Sequence, residues 1–305
     1  MGKRRKNQGR EINGILLLNK PIGLTSNAAL QEVKYLYFAK KAGHTGSLDP
    51  LATGMLPLCF GEATKLSQFL LDADKHYTVT GKLGEKTTTA DAEGEVIETK
   101  PVDATEDQIE ALLSNFRGEI QQVPSMYSAL KHQGKPLYEW AREGVTIERE
   151  ARTVNIHHLA LTEFTGDTFS LDVKCSKGTY IRNLVEDIGD ALGCGAHVIK
   201  LDRVSVADYT DIPMVELDQL KAMKEENQFQ EMDDLLLPTT SMIDYLPKVT
   251  LSPVASFQLQ QGNPVQIKEA PASGLVQLFD KDEKFIGVGE IDADGNVAPK
   301  RLLKS

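Results

Sequence analysis

The sequence predicts an α+β protein built on a largely antiparallel mixed sheet and followed by a small C-terminal β unit. Two patterns in its 305 residues carry this. Up to residue 247, strand-like alternation and helix-like stripes mix without the regular βαβ order of a parallel sheet. From about residue 249 a fresh strand pattern runs to the end, punctuated by Gly262-Asn263-Pro264 and Asp294-Gly295. The expected division is a basic tail over 1–12, a main body over 13–247 with an insertion at about 123–152, and the β unit over 249–305.

Taken in order, Ile15 to Leu18 read as a short strand running into Asn19-Lys20-Pro21. Ser26 opens a helix to about residue 37, with Leu30, Val33 and Leu36 on one stripe. A loop dense in turn formers follows, Gly43-His44-Thr45-Gly46-Ser47-Leu48-Asp49-Pro50. A helix near 62–71 leads to alternation over 75–84, where Tyr77, Val79, Gly81 and Leu83 share one face of a strand. Thr105 and Gln108 have capping-box spacing, and Gly118 is read as the stop of that helix. Residues 123–135 look like an excursion from the sheet, with a short helix from Pro136 to Gly144. Strands near 154–164 and 169–175 precede the turn Ser176-Lys177-Gly178, an amphipathic helix over 180–192 and a strand over 197–206. Val215, Leu217 and Leu220 begin a further helix, and strands at 275–279, 285–291 and 297–303 build the β unit.

Composition places the chain among ordinary folded proteins, with 41% hydrophobic and 26% charged residues. Four aliphatic residues after the basic start are too few for a signal segment or a membrane span, so a cytoplasmic protein without membrane attachment is expected. Cys59, Cys175 and Cys194 share no paired spacing and read as buried thiols. The formal net charge of −10 sits poorly with nucleic-acid binding. Its distribution is uneven, however, since residues 201–250 hold eleven acidic and four basic side chains, a net of −7. That stretch reads as a solvated back face, while Lys3, Arg4, Arg5, Lys6 and Arg10 crowd the start.

Absent motifs narrow the chemistry. Six histidines show no H-x-x-x-H pair, no carboxylates have metal-ligand spacing, and neither a phosphate-cradling loop nor G-x-G-x-x-G is present. No metal and no cofactor are expected. What remains is the loop around Asp49, in which Gly43 and Gly46 permit unusual backbone angles and Pro50 biases Asp49 toward an extended pose. The plainer reading is that Asp49 opens a turn, as Asp-Pro pairs commonly do.

Read together, Asn19-Lys20-Pro21, the run Gly43 to Gly54 (GHTGSLDPLATG), Tyr77, Tyr127-Ser128-Ala129-Leu130-Lys131 and Cys175 to Arg182 (CSKGTYIR) resemble the bacterial transfer RNA pseudouridine synthase B (TruB) family. The motifs stand in the family's order over nearly the whole main body, and the tail from about residue 249 more loosely resembles a PUA domain, an RNA-binding β module. The resemblance implies an isomerase that converts uridine to pseudouridine at position 55, in the T loop of transfer RNA; no protein partner is evident in the sequence, and a monomer is expected. It implies that Asp49 is the essential aspartate, that Tyr77 stacks on the target base and that Arg182 pairs with Asp49. His44 corresponds to the residue that fills the space left by the everted nucleotide. Tyr180, Leu201 and Lys20 match positions that line or support the pocket, and Asp91 falls in a loop near it. Asp202 departs from the family pattern, which has a basic residue beside Leu201.

Physically, such an isomerisation needs neither redox partner nor energy input, in keeping with the missing cofactor motifs. A looped base must be flipped out, and an aromatic face recovers part of that cost at roughly 1 to 3 kcal/mol per stacked base. Two other readings stand beside it: a non-catalytic RNA-folding protein on the same scaffold, and a glycoside hydrolase with Asp91 as its second carboxylate. The cations Lys131, Lys135, Arg142, Arg149 and Arg152 could meet RNA or could pair with the interleaved Glu139, Glu143, Glu148 and Glu150. From the missing ligand spacing, turnover is expected to survive exhaustive chelation in monovalent salt that keeps the RNA folded. Activity that vanished and returned only with zinc would contradict this.

Overall fold

The aliphatic run at Ile15 is the middle of a longer strand, β1 (Gly14–Lys20), that is buried on both faces. Leu16 and Leu18 enter one hydrophobic cluster while Ile15 and Leu17 enter another. A strand covered on both sides has no polar face to alternate with, which explains the unbroken apolar run. The computed structural model describes residues 9–267 and 270–304. Lys3, Arg4, Arg5 and Lys6, most of the expected basic tail, lie outside them.

The chain continues through α1 (Ser26–Leu36), β2 (Ala42–His44) and β3 (Thr53–Phe60). Helix α1 starts at Thr25, whose side chain accepts from the Ala28 amide. It ends on Phe38, which takes the left-handed conformation (φ +49°) where glycine is usual, at a cost on the order of 1 kcal/mol. The helix expected near 62–71 is two pieces, a 3₁₀ turn Gly61–Lys65 and α2 (Ser67–Asp72). Next come β4 (Lys75–Leu83), with Tyr77, Val79 and Leu83 inward, and the hairpin of β5 (Glu85–Thr87) and β6 (Val96–Thr99). Helix α3 (Glu106–Leu113) carries the full capping box of Thr105 and Gln108. Gly118 does not stop it; a 3₁₀ turn intervenes, and Gly118 opens β7 (Gly118–Gln122).

The insertion holds the small hairpin β8 (Lys131–His132) and β9 (Lys135–Pro136), then α4 (Leu137–Arg142). Strands β10 (Arg152–Phe164) and β11 (Thr168–Cys175), helix α5 (Ile181–Ala191), and strands β12 (Ala196–Val206) and β13 (Val215–Glu216) complete the main sheet. Its strand order is β13-β1-β3-β12-β4-β11-β10-β7, with β2 paired to β3. Pairing is antiparallel except between β1 and β13 and between β3 and β12.

The acidic stretch forms α6 (Leu217–Glu225) and α7 (Phe229–Asp234), whose Leu217, Leu220 and Met232 are core residues. The expectation of a solvated back face therefore holds only for its charged side chains, and Asp233 is engaged by Arg10.

The tail comprises β14 (Lys248–Thr250), α8 (Pro253–Gln260), β15 (Val265–Gln266), β16 (Gly274–Phe279), β17 (Phe285–Ile291) and β18 (Asn296–Leu302). Helix α8 breaks the all-strand expectation. Its signals were in plain view: Ser252 caps the Ala255 amide, and Pro253 occupies the first turn, where a missing N–H costs nothing. The tail has its own cluster around Val276, Leu278 and Val297. Its sheet also lends Val288, Leu275 and Phe285 to the cluster on the second face of β1 and β3. Lys65 donates to the Leu302 carbonyl at 3.0 Å, and Glu62 accepts from the Lys304 amide at 2.6 Å.

Removing 249–305 would thus strip Val288, Leu275 and Phe285 from the cluster that holds Ile15, Leu17 and Met55. The truncated chain is expected to melt at least about 5 °C below the full one, since each 1 kcal/mol lost shifts Tm by roughly 2–4 °C at this size. Calorimetry checks this, and an unchanged melting temperature would contradict it.

Candidate active site

Arg182 lies in the first turn of α5, 6% exposed. The turn before it is set by Gly178 (φ +82°) and by Thr179 Oγ1 donating to the Ser176 carbonyl at 2.9 Å. Gln122 of β7 holds the helix entrance, accepting from the Tyr180 amide at 2.7 Å and donating to its carbonyl at 3.0 Å. Arg182 Nε stands 3.0 Å from Asp49 Oδ2, and Nη1 stands 3.2 Å from Asp91 Oδ2. The guanidinium also donates to the Thr89 carbonyl at 2.9 Å and, from Nη2, to the Tyr127 carbonyl at 2.8 Å.

The two carboxylates differ in setting. Asp91 is 2% exposed; it accepts from Thr89 Oγ1 at 2.5 Å and from the Glu93 amide at 3.1 Å, and its loop is stitched to β12 by Ala92 N donating to the Val198 carbonyl at 2.8 Å. Asp49 keeps 40% of its side chain exposed. It sits at the mouth with one oxygen toward Arg182. Desolvation by the surrounding protein pushes its carboxyl above the ordinary range; Arg182 opposes this, Asp91 adds to it, and Lys20 opposes it.

Several bonds hold the Asp49 loop. Gly46 takes φ +86°, while Gly43 lies in β2 without a positive φ and with open space where a Cβ would be, so only the first needs to be glycine. Ser26 Oγ brackets Leu48, accepting from its amide at 2.7 Å and donating to its carbonyl at 3.0 Å. Asp49 does open a turn, its carbonyl accepting from the Ala52 amide at 3.1 Å. The plain reading and the functional one use different atoms of the same residue: backbone for the turn, carboxylate for Arg182.

Lys20 is fully buried beneath this loop. Its Nζ donates to the carbonyls of Pro21 (2.9 Å), Leu24 (2.7 Å) and Pro50 (3.4 Å). Burial lowers its pKa to about 8, with Asp49 and Glu93 pulling the other way. It braces the turn from inside and is closed off from solvent.

Tyr77 on β4, 8% exposed, faces Arg203 of β12 in register, and Leu201 faces Val79 on the same side of the sheet. Burial raises the phenol's pKa, and Arg203 works against it. His44 ends β2 with its Nδ1 buried and unpartnered; burial first and then Arg203 hold it below the usual imidazole value. Tyr180 stands immediately before α5, and its phenol hydrogen-bonds to none of the described residues. Asp49 and Asp91 thus each bond Arg182, Lys20 lies under the Asp49 turn, Tyr77 and Leu201 share one face of the β4–β12 pair, and Arg203 acts on both Tyr77 and His44. Asp91, 2% exposed and bonded to Arg182 and Thr89, is shut off from a substrate meeting Asp49. The second carboxylate of a glycoside hydrolase is not supplied there.

Arg203 and Glu93 were not singled out from sequence. Arg203 is two residues beyond Leu201, so strand alternation alone puts it on the pocket face. Glu93 has its carboxyl raised by burial, by Asp91 and by Asp49, with the Leu51 amide opposing. Asp202, the departure noted above, accepts from Thr53 Oγ1 at 2.5 Å. In the insertion, Lys135 pairs with Glu143 at 2.5 Å and Arg149 donates to the Pro124 and Ile147 carbonyls, so these two cations serve the fold. Among the described residues no group of three or more His, Cys, Asp or Glu could hold a metal ion, and no helix is long and apolar enough to cross a membrane.

A part-exposed aspartate on a loop of a mixed sheet, bonded to a buried arginine and near an inward tyrosine, is what the resemblance to a pseudouridine synthase implied. Comparison with known proteins agrees. Residues 34–181 match the TruB family pseudouridylate synthase N-terminal domain, 182–244 the tRNA pseudouridylate synthase B C-terminal domain and 247–303 the pseudouridine synthase II TruB C-terminal region. The chain is 55% identical to tRNA pseudouridine synthase B of Tolumonas auensis over 100% of its length and 96% of that protein. It is 54% identical to the protein of that name from Vibrio parahaemolyticus, over 99% of this chain and 98% of that one. In fold it is similar to an H/ACA ribonucleoprotein bound to a substrate RNA containing 2′-deoxyuridine (TM-score 0.72, 23% identity, 96% of this chain and 85% of that one). A Cbf5-Nop10-Gar1 complex gives the same TM-score, 0.72, at 25% identity over 95% of this chain and 84% of that one. The chain belongs to the TruB family of pseudouridine synthases.

A carboxyl whose folded pKa lies above its unfolded value of about 3.9 binds protons more readily in the folded state. Ionising it therefore costs stability, absent in acid and fully felt above the folded pKa. Asp49→Asn is expected to be more stable than the parent at pH 7 and to lose that advantage as pH falls below about 4. Melting curves of both proteins across pH check this; identical melting temperatures at pH 7 would refute it.

Proposed function

We propose that this chain isomerises uridine to pseudouridine at position 55, in the T loop of transfer RNA, with Asp49 as the reacting carboxylate. The observation that carries the reading is the 3.0 Å contact between Arg182 and Asp49 in a full-length member of the TruB family. The target base leaves the loop and stacks on Tyr77, with His44 occupying the vacated space and Tyr180 and Leu201 lining the pocket. Asp49 then either bonds to the sugar or removes a proton from it. Both routes need the charged carboxylate that Arg182 favours, and the upward push from burial makes that help necessary. Asp91 acts through Arg182, and Lys20 acts through the Pro50 carbonyl; both position rather than react.

The division proposed is a catalytic body over 13–247, an insertion at about 123–152 that reaches the RNA, and a PUA-like RNA-binding unit over 249–305. The protein works in the cytoplasm as a monomer and without a cofactor. A non-catalytic RNA-folding role would leave an exposed carboxylate, raised in pKa and bound to a buried arginine, without purpose.

Asp49→Asn keeps size and hydrogen-bonding reach while removing the charge. Its affinity for unmodified transfer RNA is expected to stay within about tenfold of the parent. Its single-turnover rate should fall by at least ~10⁴, roughly 5 kcal/mol of transition-state stabilisation. A binding titration with unmodified transfer RNA measures the first, and pseudouridine mapping under saturating enzyme the second. A variant that still modifies position 55 within about tenfold of the normal rate, with deamidation excluded by mass spectrometry, would sink the proposal.

A further inference from the structure

We infer that Arg203 is a positioning residue for this isomerisation, fixing the Asp49 loop and lending its charge, through the Tyr77 phenol, to the uracil as it leaves the sugar. The inference rests on the functional reading above. Arg203 is 1% exposed and heads the fully buried large side chains. Its Nε donates to the Met55 carbonyl at 2.7 Å, and Nη2 donates to the Gly46 carbonyl at 3.1 Å. Met55 follows the family run in β3, and Gly46 lies three residues before Asp49, so one side chain ties both ends of the catalytic loop. The backbone adds to this: Gly54, at φ +94°, packs so closely on β12 that a Cβ would lie 2.4 Å from the Arg203 carbonyl oxygen.

Holding two carbonyls does not require a positive charge; a neutral donor would serve, and burying a guanidinium is costly unless an anion compensates it. Arg182 has two carboxylates. Among the described residues Arg203 meets carbonyl oxygens and the Tyr77 phenol, and no carboxylate pairs with it. Its charge acts on Tyr77 and His44, on Lys75 two residues before Tyr77, and more weakly on Lys20 under the Asp49 loop. In register it stands opposite Tyr77, the residue assigned to the base.

The chemistry has a use for that field. When the bond from C1′ to N1 breaks, its electron pair goes to the uracil, which becomes an anion. C1′ is compensated either by bonding to the Asp49 carboxylate or by loss of the C2′ proton to it, a proton that returns later. The uracil then bonds to C1′ through C5, loses the C5 proton and gains one at N1, so the sum is an isomerisation. Between the two bonds the base carries negative charge above Tyr77. A fixed positive charge behind the phenol stabilises that state without reorganising.

The test compares Arg203→Met and Arg203→Lys with the parent in single-turnover cleavage of the glycosidic bond, on transfer RNA with uridine or 5-fluorouridine at the target. Fluorine makes the uracil a more stable anion, so help from the protein matters less. Arg203→Met is expected to slow the uridine reaction by at least ~100-fold with transfer RNA affinity within about threefold, and Arg203→Lys to regain at least ~10-fold of that. The loss on 5-fluorouridine should be at least ~5-fold smaller than on uridine. Lys75, a cation buried on backbone carbonyls of the α2 end, supplies the control, and Lys75→Met should stay within about threefold of the parent rate.

Equal losses for both Arg203 variants on both substrates, a rate for Arg203→Met within threefold of the parent, or a comparable loss in Lys75→Met would each overturn the inference. If Arg203→Met does not fold, Arg203→Lys carries the test: a smaller loss on the fluorinated base sustains the inference and an equal loss overturns it. A parent that makes no pseudouridine fails the functional reading itself, and shows it before any variant is compared.

Discussion

One guanidinium holds two carboxylates, and the site is built around that fact. Arg182 gathers four segments far apart in the chain: the Asp49 loop, the loop of Thr89 and Asp91, the insertion at Tyr127 and its own helix α5. Breaking the buried Arg182–Asp91 pair would cost about 3–5 kcal/mol, because the remaining charge is left in a medium that solvates it poorly. Asp91 is saturated and buried, so it anchors the arginine. Asp49 is half open and only partly compensated, so it is the carboxylate left free to meet a substrate.

The interior balances its charges differently from the surface. A chain of formal net charge −10 buries four cations, Lys20, Lys75, Arg182 and Arg203. Among the described residues, three of them are hydrogen-bonded by backbone carbonyls rather than paired with acids. Burial lowers the pKa of both lysines to about 8. Lys20, Arg182 and Arg203 thereby bring positive charge to the Asp49 loop and Tyr77, where low polarisability strengthens it, while the acidic side chains of α6 and α7 face mostly water. Net charge measured over a whole sequence is a poor guide to the field at a site.

The same sheet that presents the site also ties the tail to the body. Alternate residues of β1 and β3 feed two cores, and the second core is finished by Val288 of β17. A tail that reads as a separate module in sequence is thus partly load-sharing in structure. Its own cluster around Val276 and Leu278 is compatible with a distinct RNA-binding role, while the shared cluster makes its removal a matter of stability as well as affinity.

Sequence by itself determined whatever depends on local spacing. The α+β class, the capped helix α3, the inward face of β4 with Tyr77, and the loop from His44 to Pro50 were all legible, since each follows from period-two or period-3.6 patterning and from turn chemistry. Family resemblance supplied Asp49 and its partners, which spacing alone left as a turn residue among several acids. Tertiary structure decided the rest. That Asp91 is buried against Arg182, that Lys20 is wholly buried, that Gly43 is an ordinary strand residue and that Arg203 stands beside Tyr77 with no carboxylate partner among the described residues are all consequences of strand register and loop closure. Those contacts join residues up to 157 positions apart, as in the bond from Arg203 to the Gly46 carbonyl. No local pattern encodes such distances, because the free energy that selects them comes from burying both faces of one sheet at once.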